Sequence, residues 1–450
     1  MTGVRRQRPV APGGAGRSAP PAHGGQGHPG QPAPLSGGAA GPAESGVATA
    51  PATAGGGARE AGSTPYPVWR TRARPCRVLV VGDPVADLWV YGVPRRISRE
   101  APVLILEYDR QEIMPGGAAH CARSLAALGG QVVLAGPFGD DPWGRAVVDA
   151  LGRAGVEVLA APVPRGWQTP LKARFVAAPP AAPAQQVLRL DVLPQRAGAG
   201  FGLGAWLASA GRAAGSVPPQ GAGTDPEEAA WAAFARSLRE AVRAADAVVV
   251  ADYGLSDLAP RLWPRLARWA RGRPVVVDSR HRLLAFRGAT LATPNVEELA
   301  EVWGRPLAAD DLGRAAAVVR GRGRFGALVV TRGPEGILVD PGDGVPIAIP
   351  AVRPAAVYDV TGAGDTVAAV LALALGSGLD VVGAARLANL AGSLAVRKAG
   401  TEPVTAAELE EAWKAWVGAA DAGTLPAAGA GPLQDAPHGT PHPAPGGATG

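Results

Sequence analysis

The segment DVTGAGDT at residues 359–366 most constrains what this chain can fold into. It leads directly into the apolar run from Val367 to Leu375, which is rich in alanine and leucine and predicts a buried helix. Unpaired amides and a partial positive charge at a helix N-terminus favour an anion, and Gly362 and Gly364 allow a ligand to approach the backbone closely. The segment therefore predicts a phosphate-binding turn.

Asp365 is the unusual residue of this turn, because a carboxylate repels a phosphate group. Its presence is explained if it accepts the proton of a hydroxyl group that attacks phosphorus. The alternative is a glycine-rich loop in which Asp365 only caps the helix. The aspartates at both ends of the segment, Asp359 and Asp365, with Thr361 between them, favour the chemical interpretation.

The pattern Asp-x-x-Gly-Ala-Gly-Asp resembles the signature of the ribokinase-like (PfkB) sugar kinases. Residues 357–366 (VYDVTGAGDT) resemble, within that group, the heptose-7-phosphate kinases of the ADP-heptose pathway. The resemblance extends from about Arg77 to Leu409. It implies a doubly wound, mostly parallel α/β sheet flanked by helices, with a small β-sheet lid. Strands that alternate with helices through the middle of the chain also favour this fold class.

The resemblance also implies a reaction, in which Asp365 is the catalytic base and ATP with Mg²⁺ is the phosphoryl donor. The anion hole would be formed by backbone amides, namely those of Gly362, Ala363 and Gly364. Family members commonly hold a monovalent cation beside Asp359 and Thr361, so K⁺ dependence is a further expectation.

Composition divides the chain of 450 residues into three parts. Residues 1–74 and 417–450 are rich in glycine, alanine and proline without apolar periodicity, and we expect disordered tails there. Residues 75–416 are expected to form the kinase domain, and 194–224 a Gly/Ala-rich loop insertion within it. Bifunctional heptose enzymes carry a nucleotidyltransferase after the kinase, so we expect a separate adenylyltransferase for this chain.

The net charge of +6 is confined to the N-terminal region, because the eight arginines before Arg77 outnumber the two glutamates there by six. The predicted folded part is neutral and gives no indication of nucleic-acid binding. The two cysteines, Cys76 and Cys121, exclude a disulfide framework and a zinc cluster. No apolar run reaches the length of a membrane span, so we expect a cytoplasmic protein.

Several polar residues follow the first predicted strand, at the edge where open α/β sheets bind ligands. Asp83 and Asp87 lie just past that strand, and turn chemistry alone also favours aspartate there. Gly116 and Gly117 open a predicted helix, where they suit either a polar ligand or close helix–strand packing. The resemblance assigns Asp83, Asp87, Gly116 and Gly117 to the sugar. It also assigns His120 to the sugar, and this residue stands where relatives commonly carry asparagine.

The lid is predicted from strands at about 96–113 and 168–192. Lys172, Arg174 and Arg189 lie in the second of these ranges and are candidates to bind a substrate phosphate. A solvated sheet face also explains each of them taken singly. Related kinases often pair their lids, so the resemblance implies a homodimer.

Asp252 ends another predicted strand, and the resemblance assigns it to the sugar. Relatives continue Asp-Tyr-x-Lys-Gly where this chain has DYGLS at 252–256, and Asp-Pro-Lys where it has DSR at 278–280. Asn295 and Glu298 match the family's Asn-x-x-Glu motif and imply contacts with Mg²⁺, through water, and with ATP phosphates. The alternative for this pair is a helix N-cap with its capping-box glutamate.

The remaining assignments concern the nucleotide. Family resemblance places an ATP-binding turn and a helical asparagine in the C-terminal half, comprising Thr331, Arg332, Gly333, Gly336 and Asn389. For Asn389, an ordinary polar position on a helix explains the residue equally well.

Together these features predict ATP-dependent phosphorylation of D-glycero-β-D-manno-heptose 7-phosphate to the 1,7-bisphosphate. One alternative is a kinase for another sugar or sugar phosphate, of the ribose or fructose type. The other is a non-catalytic sugar-binding regulator on the same fold. The chain lacks the G-x-x-x-x-G-K-[ST] segment and the protein-kinase motifs, which argues against those two kinase classes.

Overall fold

The computed structural model describes residues 74–179, 183–194, 226–352, 359–398 and 400–421, without the side chains of 418–421. The strands, in chain order, are β1 (Arg77–Gly82), β2 (Pro84–Ile97), β3 (Leu104–Gly117), β4 (Gln131–Pro137), β5 (Glu157–Ala161), β6 (Leu171–Ala177), β7 (Gln185–Val192), β8 (Ala247–Asp252), β9 (Val275–Ser279), β10 (Leu291–Ala292), β11 (Ala327–Thr331), β12 (Ile337–Asp340) and β13 (Ile347–Ile349). The α-helices are α1 (Ala118–Ala127), α2 (Pro142–Arg153), α3 (Pro226–Ala244), α4 (Leu258–Trp269), α5 (Val296–Trp303), α6 (Leu312–Gly323), α7 (Ala363–Gly376), α8 (Val381–Ala395) and α9 (Ala406–Asp421).

The larger sheet of the described residues has nine strands, in the order β13-β12-β11-β10-β9-β8-β1-β4-β5. Neighbours from β11 through to β5 run parallel, whereas β12 and β13 pair antiparallel. The chain proceeds from β1 towards one edge through β4 and β5, and later towards the other edge from β8 onwards. This reversal beside β1 confirms the predicted doubly wound α/β fold and places its ligand crevice at the carboxyl ends of the central strands.

Both faces of the larger sheet are covered, which explains why its central strands are continuous apolar runs. Side chains alternate along β1, so that Val78 and Val80 join one hydrophobic core while Leu79 and Val81 join the other. Helices α1, α2, α7, α8 and α9 contribute to the first core, and α3, α4, α5 and α6 to the second.

Helix α7 is the predicted buried helix, and every residue from Asp365 to Ala374 is buried. It packs against α1, α8 and the strands of the sheet. A helix that is apolar on all sides is stable only in such surroundings. Its N-terminus is therefore held in one place, at the carboxyl edge of the sheet.

A second sheet has the order β3-β2-β6-β7 and corresponds to the predicted lid. Its strand β2 was not expected, because the prediction placed the first lid strand at about 96–113 and put Asp87 in a turn. Proline and glycine within Pro84–Ile97 weaken the strand pattern, and the β2–β3 pairing has irregularities at Tyr91/Gly92 and Pro94/Arg96. Asp87 therefore lies within a lid strand rather than in a loop.

The predicted N-terminal tail, up to residue 73, and most of the predicted insertion at 194–224 lie outside the described residues. The predicted C-terminal tail starts too early, because α9 continues to Asp421. None of the helices in the described part of the chain is both long and apolar enough to cross a lipid bilayer.

Candidate active site

A polar cavity of about 430 Å³ lies where the carboxyl ends of the central strands meet the lid and the start of α7. It brings together side chains from widely separated segments, including Lys172, Tyr253, Asp278, Asn295, Thr331 and Asp365. This is the crevice that the sheet topology predicts.

Gly362 is the N-cap of α7 and has a φ of 78°, a left-handed conformation that favours glycine. A Cβ at this position would also overlap the imidazole of His120. Thr361, Gly362 and Gly364 line the cavity directly above this helix N-terminus. The turn therefore presents the positive end of α7 to the cavity, as the sequence predicts for an anion site.

The Asp365 side chain lies in the first turn of α7 and is only 7% exposed. Its Oδ1 accepts a hydrogen bond from the hydroxyl group of Tyr253. Burial raises the pKa of the Asp365 carboxyl to about 7, although the Tyr253 hydrogen bond and the charge of Lys172 act in the opposite direction. A carboxylate with a pKa near neutrality is well suited to accept a proton at physiological pH.

Asn295 and Glu298 form a reciprocal capping box at the start of α5. The Asn295 side chain accepts from the Glu298 amide at 2.8 Å, and the Glu298 carboxylate accepts from the Asn295 amide at 2.9 Å. Both residues also line the cavity, so the capping and ligand-binding interpretations are compatible. Burial raises the pKa of the Glu298 carboxyl.

The predicted sugar ligand Asp83 is saturated by protein groups. It accepts from the amides of Tyr253 and Leu255, both at 3.0 Å, and from the Ser256 hydroxyl. All three donors belong to the turn after β8, and the assignment of Asp83 to the sugar stays a prediction. Asp252, which lines the cavity, is similarly engaged by Ser279 at 2.7 Å and by the guanidinium of Arg282.

The lid residues Asp87 and Arg174 form an ion pair, with 2.7 Å between Asp87 Oδ1 and Arg174 Nη1. Both side chains are less than 10% exposed. A Cβ at Gly116 would overlap the Asp87 carboxylate, so Gly116 makes room for this ion pair, and its assignment to the sugar stays a prediction. Gly117 does line the cavity. The Asp87–Arg174 pair therefore fixes the lid strands β2 and β6 at the rim of the site.

His120, a predicted sugar ligand, lies behind the Gly362 turn and is only 2% exposed. Burial lowers the pKa of its imidazole to about 3, with a smaller contribution from Arg123. The ring is therefore neutral, and its Nδ1 has no hydrogen-bond partner among the described residues. His120 supports the turn from below and does not face the cavity.

The predicted nucleotide residues are divided between the cavity and its surroundings. Thr331 lines the cavity, whereas Arg332, Gly333, Gly336 and Asn389 lie outside it. Arg332 pairs with Glu335, and the Asn389 amide donates to the Pro350 carbonyl at 2.8 Å. Their assignment to ATP stays a prediction.

Sequence reasoning assigned no site role to Tyr253, Asp278 or Arg280, although all three line the cavity. Each directly ends or follows a β-strand, β8 for Tyr253 and β9 for Asp278 and Arg280. The same strand-end position that singled out Asp252 could have identified them.

Comparison with known proteins agrees with this geometry. A family model described as pfkB family carbohydrate kinase matches residues 222–407. The chain is 38% identical over 337 residues to the bifunctional protein HldE of Caulobacter sp. strain K31, covering 74% of this chain and 62% of that protein. It is 36% identical over 363 residues to the bifunctional protein HldE of Halorhodospira halophila, covering 80% of this chain and 67% of that protein. The chain belongs to the pfkB family of carbohydrate kinases.

The chain spans about two thirds of the length of these HldE relatives, between 62% and 67%. Among solved structures, Arabidopsis thaliana ribokinase, complexed with ribose and ATP, matches with a TM-score of 0.53 and 19% identity. That match covers 75% of this chain and 99% of the ribokinase chain. It shows that this pfkB-family kinase has the ribokinase-like fold.

The raised pKa of Asp365 predicts a pH-dependent stability for this pfkB-family kinase. Since the folded carboxyl has a pKa of about 7 and the ordinary value is 3.8, the folded state binds more protons between these pH values. The free energy of unfolding is therefore expected to fall as the pH rises through this range. Asp365→Asn has no carboxyl group to ionise at this position. The free energy of unfolding of the variant minus that of the wild type should therefore rise by on the order of 2 kcal/mol between pH 5 and pH 8.

Urea unfolding at the two pH values measures this difference. Asp83, whose pKa burial raises to about 6, titrates in both proteins. Asp149→Asn, at an exposed position of α2, is the matched control. Its difference in unfolding free energy from the wild type should be the same at both pH values. An Asp365→Asn offset that does not change with pH would contradict the raised pKa.

Proposed function

We propose that this chain phosphorylates a sugar hydroxyl with ATP, and that its substrate is D-glycero-β-D-manno-heptose 7-phosphate, converted to the 1,7-bisphosphate. The observation that carries the proposal is Asp365 at the N-terminus of α7, with a pKa of about 7, in a cavity lined by cationic side chains. The resemblance of residues 357–366 to heptose-7-phosphate kinases and the identity to two HldE proteins support the choice of sugar.

In this proposal Asp365 accepts the proton of the anomeric hydroxyl as that oxygen attacks the γ-phosphorus of ATP. The amides at the start of α7, from Gly362 to Gly364, stabilise the negative charge on the transferring group. Because α7 is enclosed by the protein, these amides need no reorganisation during the reaction.

The residues present fit a magnesium ion that arrives with ATP. The Glu298 carboxylate and the Asn295 side chain offer oxygen atoms to the cavity, and oxygen donors and water are what Mg²⁺ prefers. When bound, the ion would neutralise charge on the ATP phosphates. Dependence on K⁺ beside Asp359 and Thr361 stays a prediction. We propose a cytoplasmic location for the reaction.

Lys172 and Arg280 support a substrate that carries its own phosphate. Both line the cavity, and no carboxylate among the described residues is within ion-pair distance of either. Arg174 and Arg189, by contrast, are paired with Asp87 and Asp191. We therefore propose Lys172 and Arg280 for the substrate phosphate, in place of the sequence-based set of Lys172, Arg174 and Arg189.

Sugar-dependent ADP release across a panel of sugars and sugar phosphates tests the proposed function. We expect turnover with heptose 7-phosphate, and we expect Asp365→Asn to lower kcat by about a hundredfold or more, because the base is lost. Turnover with ribose or fructose compounds in its place would identify a different sugar kinase. Tight sugar binding without turnover would favour the regulator, and undiminished kcat in Asp365→Asn would refute the base assignment.

A second experiment tests the phosphate subsite. Lys172→Met and Arg280→Met should each raise KM for the sugar phosphate by roughly tenfold or more, because a charge-assisted contact is lost. The KM for ATP should change little. Lys414→Met, whose side chain is 71% exposed on α9, is the matched control. Equal effects of the two cavity variants on phosphorylated and unphosphorylated sugars would argue against a phosphate subsite.

We further propose that the lid forms a homodimer interface. Leu188 and Leu190 are 56% and 52% exposed on β7. Side chains alternate along a strand, so these leucines lie on the other face of the sheet from Arg189. Because Arg189 lines the cavity, the leucines face away from the site. Exposed apolar residues also occur on or beside other strands of this sheet, including Ile97, Val103 and Tyr108. An exposed apolar sheet face is typical of a protein interface.

The oligomeric state tests this interface. Light scattering coupled to size-exclusion chromatography should give a dimer mass for the wild type and a monomer mass for the Leu188→Glu/Leu190→Glu variant, because charge is disfavoured in an apolar interface. Val345→Glu, at a position that is 81% exposed between β12 and β13, should remain dimeric. A monomeric wild type would rule out the lid interface.

A further inference from the structure

Tyr253 is the residue in closest polar contact with the proposed catalytic base. Its hydroxyl group donates a hydrogen bond to Oδ1 of Asp365, and its ring lines the same cavity. Tyr253 immediately follows β8, whereas Asp365 lies at the start of α7, so the contact joins two distant segments at the carboxyl edge of the sheet.

The backbone at Tyr253 is held in place by the side chain of Asp83. The carboxylate of Asp83 accepts hydrogen bonds from the amides of Tyr253 and Leu255 at 3.0 Å, and from the hydroxyl of Ser256. Gly254 has a φ of 70°, which lets the chain turn tightly between these contacts. This arrangement leaves the tyrosine little freedom to move away from Asp365.

The tyrosine ring is also held from its sides. The Lys172 ammonium group lies 5.4 Å and the Arg280 guanidinium 5.7 Å from the ring centroid, both within the range of cation–π attraction. A Cβ on Gly117 would lie 3.4 Å from Cε2 of the ring, so the Gly117 turn packs against it. Tyr253 therefore connects the proposed phosphate-binding cations to the base.

We propose that Tyr253 is a positioning residue for Asp365, holding Oδ1 so that the carboxylate presents Oδ2 to the sugar hydroxyl. This inference rests on the proposed kinase function. In the reaction, Oδ2 takes the hydroxyl proton while the sugar oxygen bonds to the γ-phosphorus and the bond from that phosphorus to the bridging oxygen breaks, releasing ADP. Tyr253 keeps its proton throughout, since burial raises the pKa of its phenol well above the ordinary value.

The groups that act on the charge of Asp365 come from several elements packed around it. Besides Tyr253 they are Asp87 on β2, Cys121 on α1, Lys172 on β6, and Asp278 and Arg280 at the end of β9. Tyr253 donates the hydrogen bond that favours the ionised carboxylate, and the two cations act in the same direction. Removal of the phenolic hydroxyl alone should therefore raise the pKa of Asp365.

Tyr253→Phe tests the proposal, because it deletes the hydroxyl and retains the ring. We expect kcat to fall by roughly tenfold, with KM for ATP nearly unchanged, because the base is less well oriented. The acidic limb of the pH profile of kcat/KM should move to higher pH by roughly half a unit or more. Tyr91→Phe, on β2 and outside this cavity, is the matched control and should leave both unchanged.

Two outcomes would overturn the role of Tyr253. One is a Tyr253→Phe enzyme with unchanged kcat and an unchanged acidic limb. The other is a loss of kcat without movement of the limb, which is the result expected of a merely structural tyrosine.

A measurement without turnover separates this inference from the proposed function. The carboxyl carbon of Asp365 can be titrated by ¹³C NMR and assigned by its absence in Asp365→Asn. A higher pKa in Tyr253→Phe supports the hydrogen bond even if no sugar is phosphorylated, in which case only the kinase proposal fails. An unchanged pKa overturns the role of Tyr253 even if the wild type is an active kinase.

Discussion

The site depends on a buried helix whose N-terminus opens onto the cavity, and on the buried carboxylate in its first turn. Residues from Asp365 to Ala374 are all enclosed, so the position of α7 is set by packing on every side. Burial disfavours the charge of Asp365, whereas the helix dipole, the Tyr253 hydroxyl and Lys172 favour it. The balance leaves a carboxyl whose pKa is near neutrality, which an exposed aspartate would not have.

The lid is coupled to this helix through short, buried contacts. Strand β2 begins immediately after Asp83, so the residue that holds the turn under Tyr253 also joins the two sheets. The Asp87–Arg174 pair then links β2 to β6, which places Lys172 over the cavity. A buried ion pair is costly to break, because either partner alone would be an uncompensated charge. The geometry of the lid and that of the base are consequently interdependent.

The fold and the anion-binding turn could be predicted from local sequence. Glycines before an apolar run identify a helix start, and strands that end in carboxylates identify the ligand edge of an α/β sheet. The partners of each carboxylate could not be predicted in this way. Asp83, Asp87 and Gly116 occupy positions typical of ligand contacts, yet their neighbours are a backbone turn and an ion pair. Hydrogen bonds between residues 87 and 170 positions apart determine the partners of Asp87 and Asp83, and no periodicity reveals them.

The structure shows which contacts are made at the positions where this chain differs from the related heptose kinases. Ser256 stands where relatives carry glycine, and its hydroxyl completes the coordination of Asp83. Arg280 stands where they carry lysine, so a cation is retained beside the Tyr253 ring. The lysine that relatives place after the tyrosine is replaced by Leu255, whose amide binds Asp83. Of these positions, Ser256 adds a side-chain hydrogen bond to the support beneath Tyr253, and Lys172 and Arg280 present positive charge to the cavity.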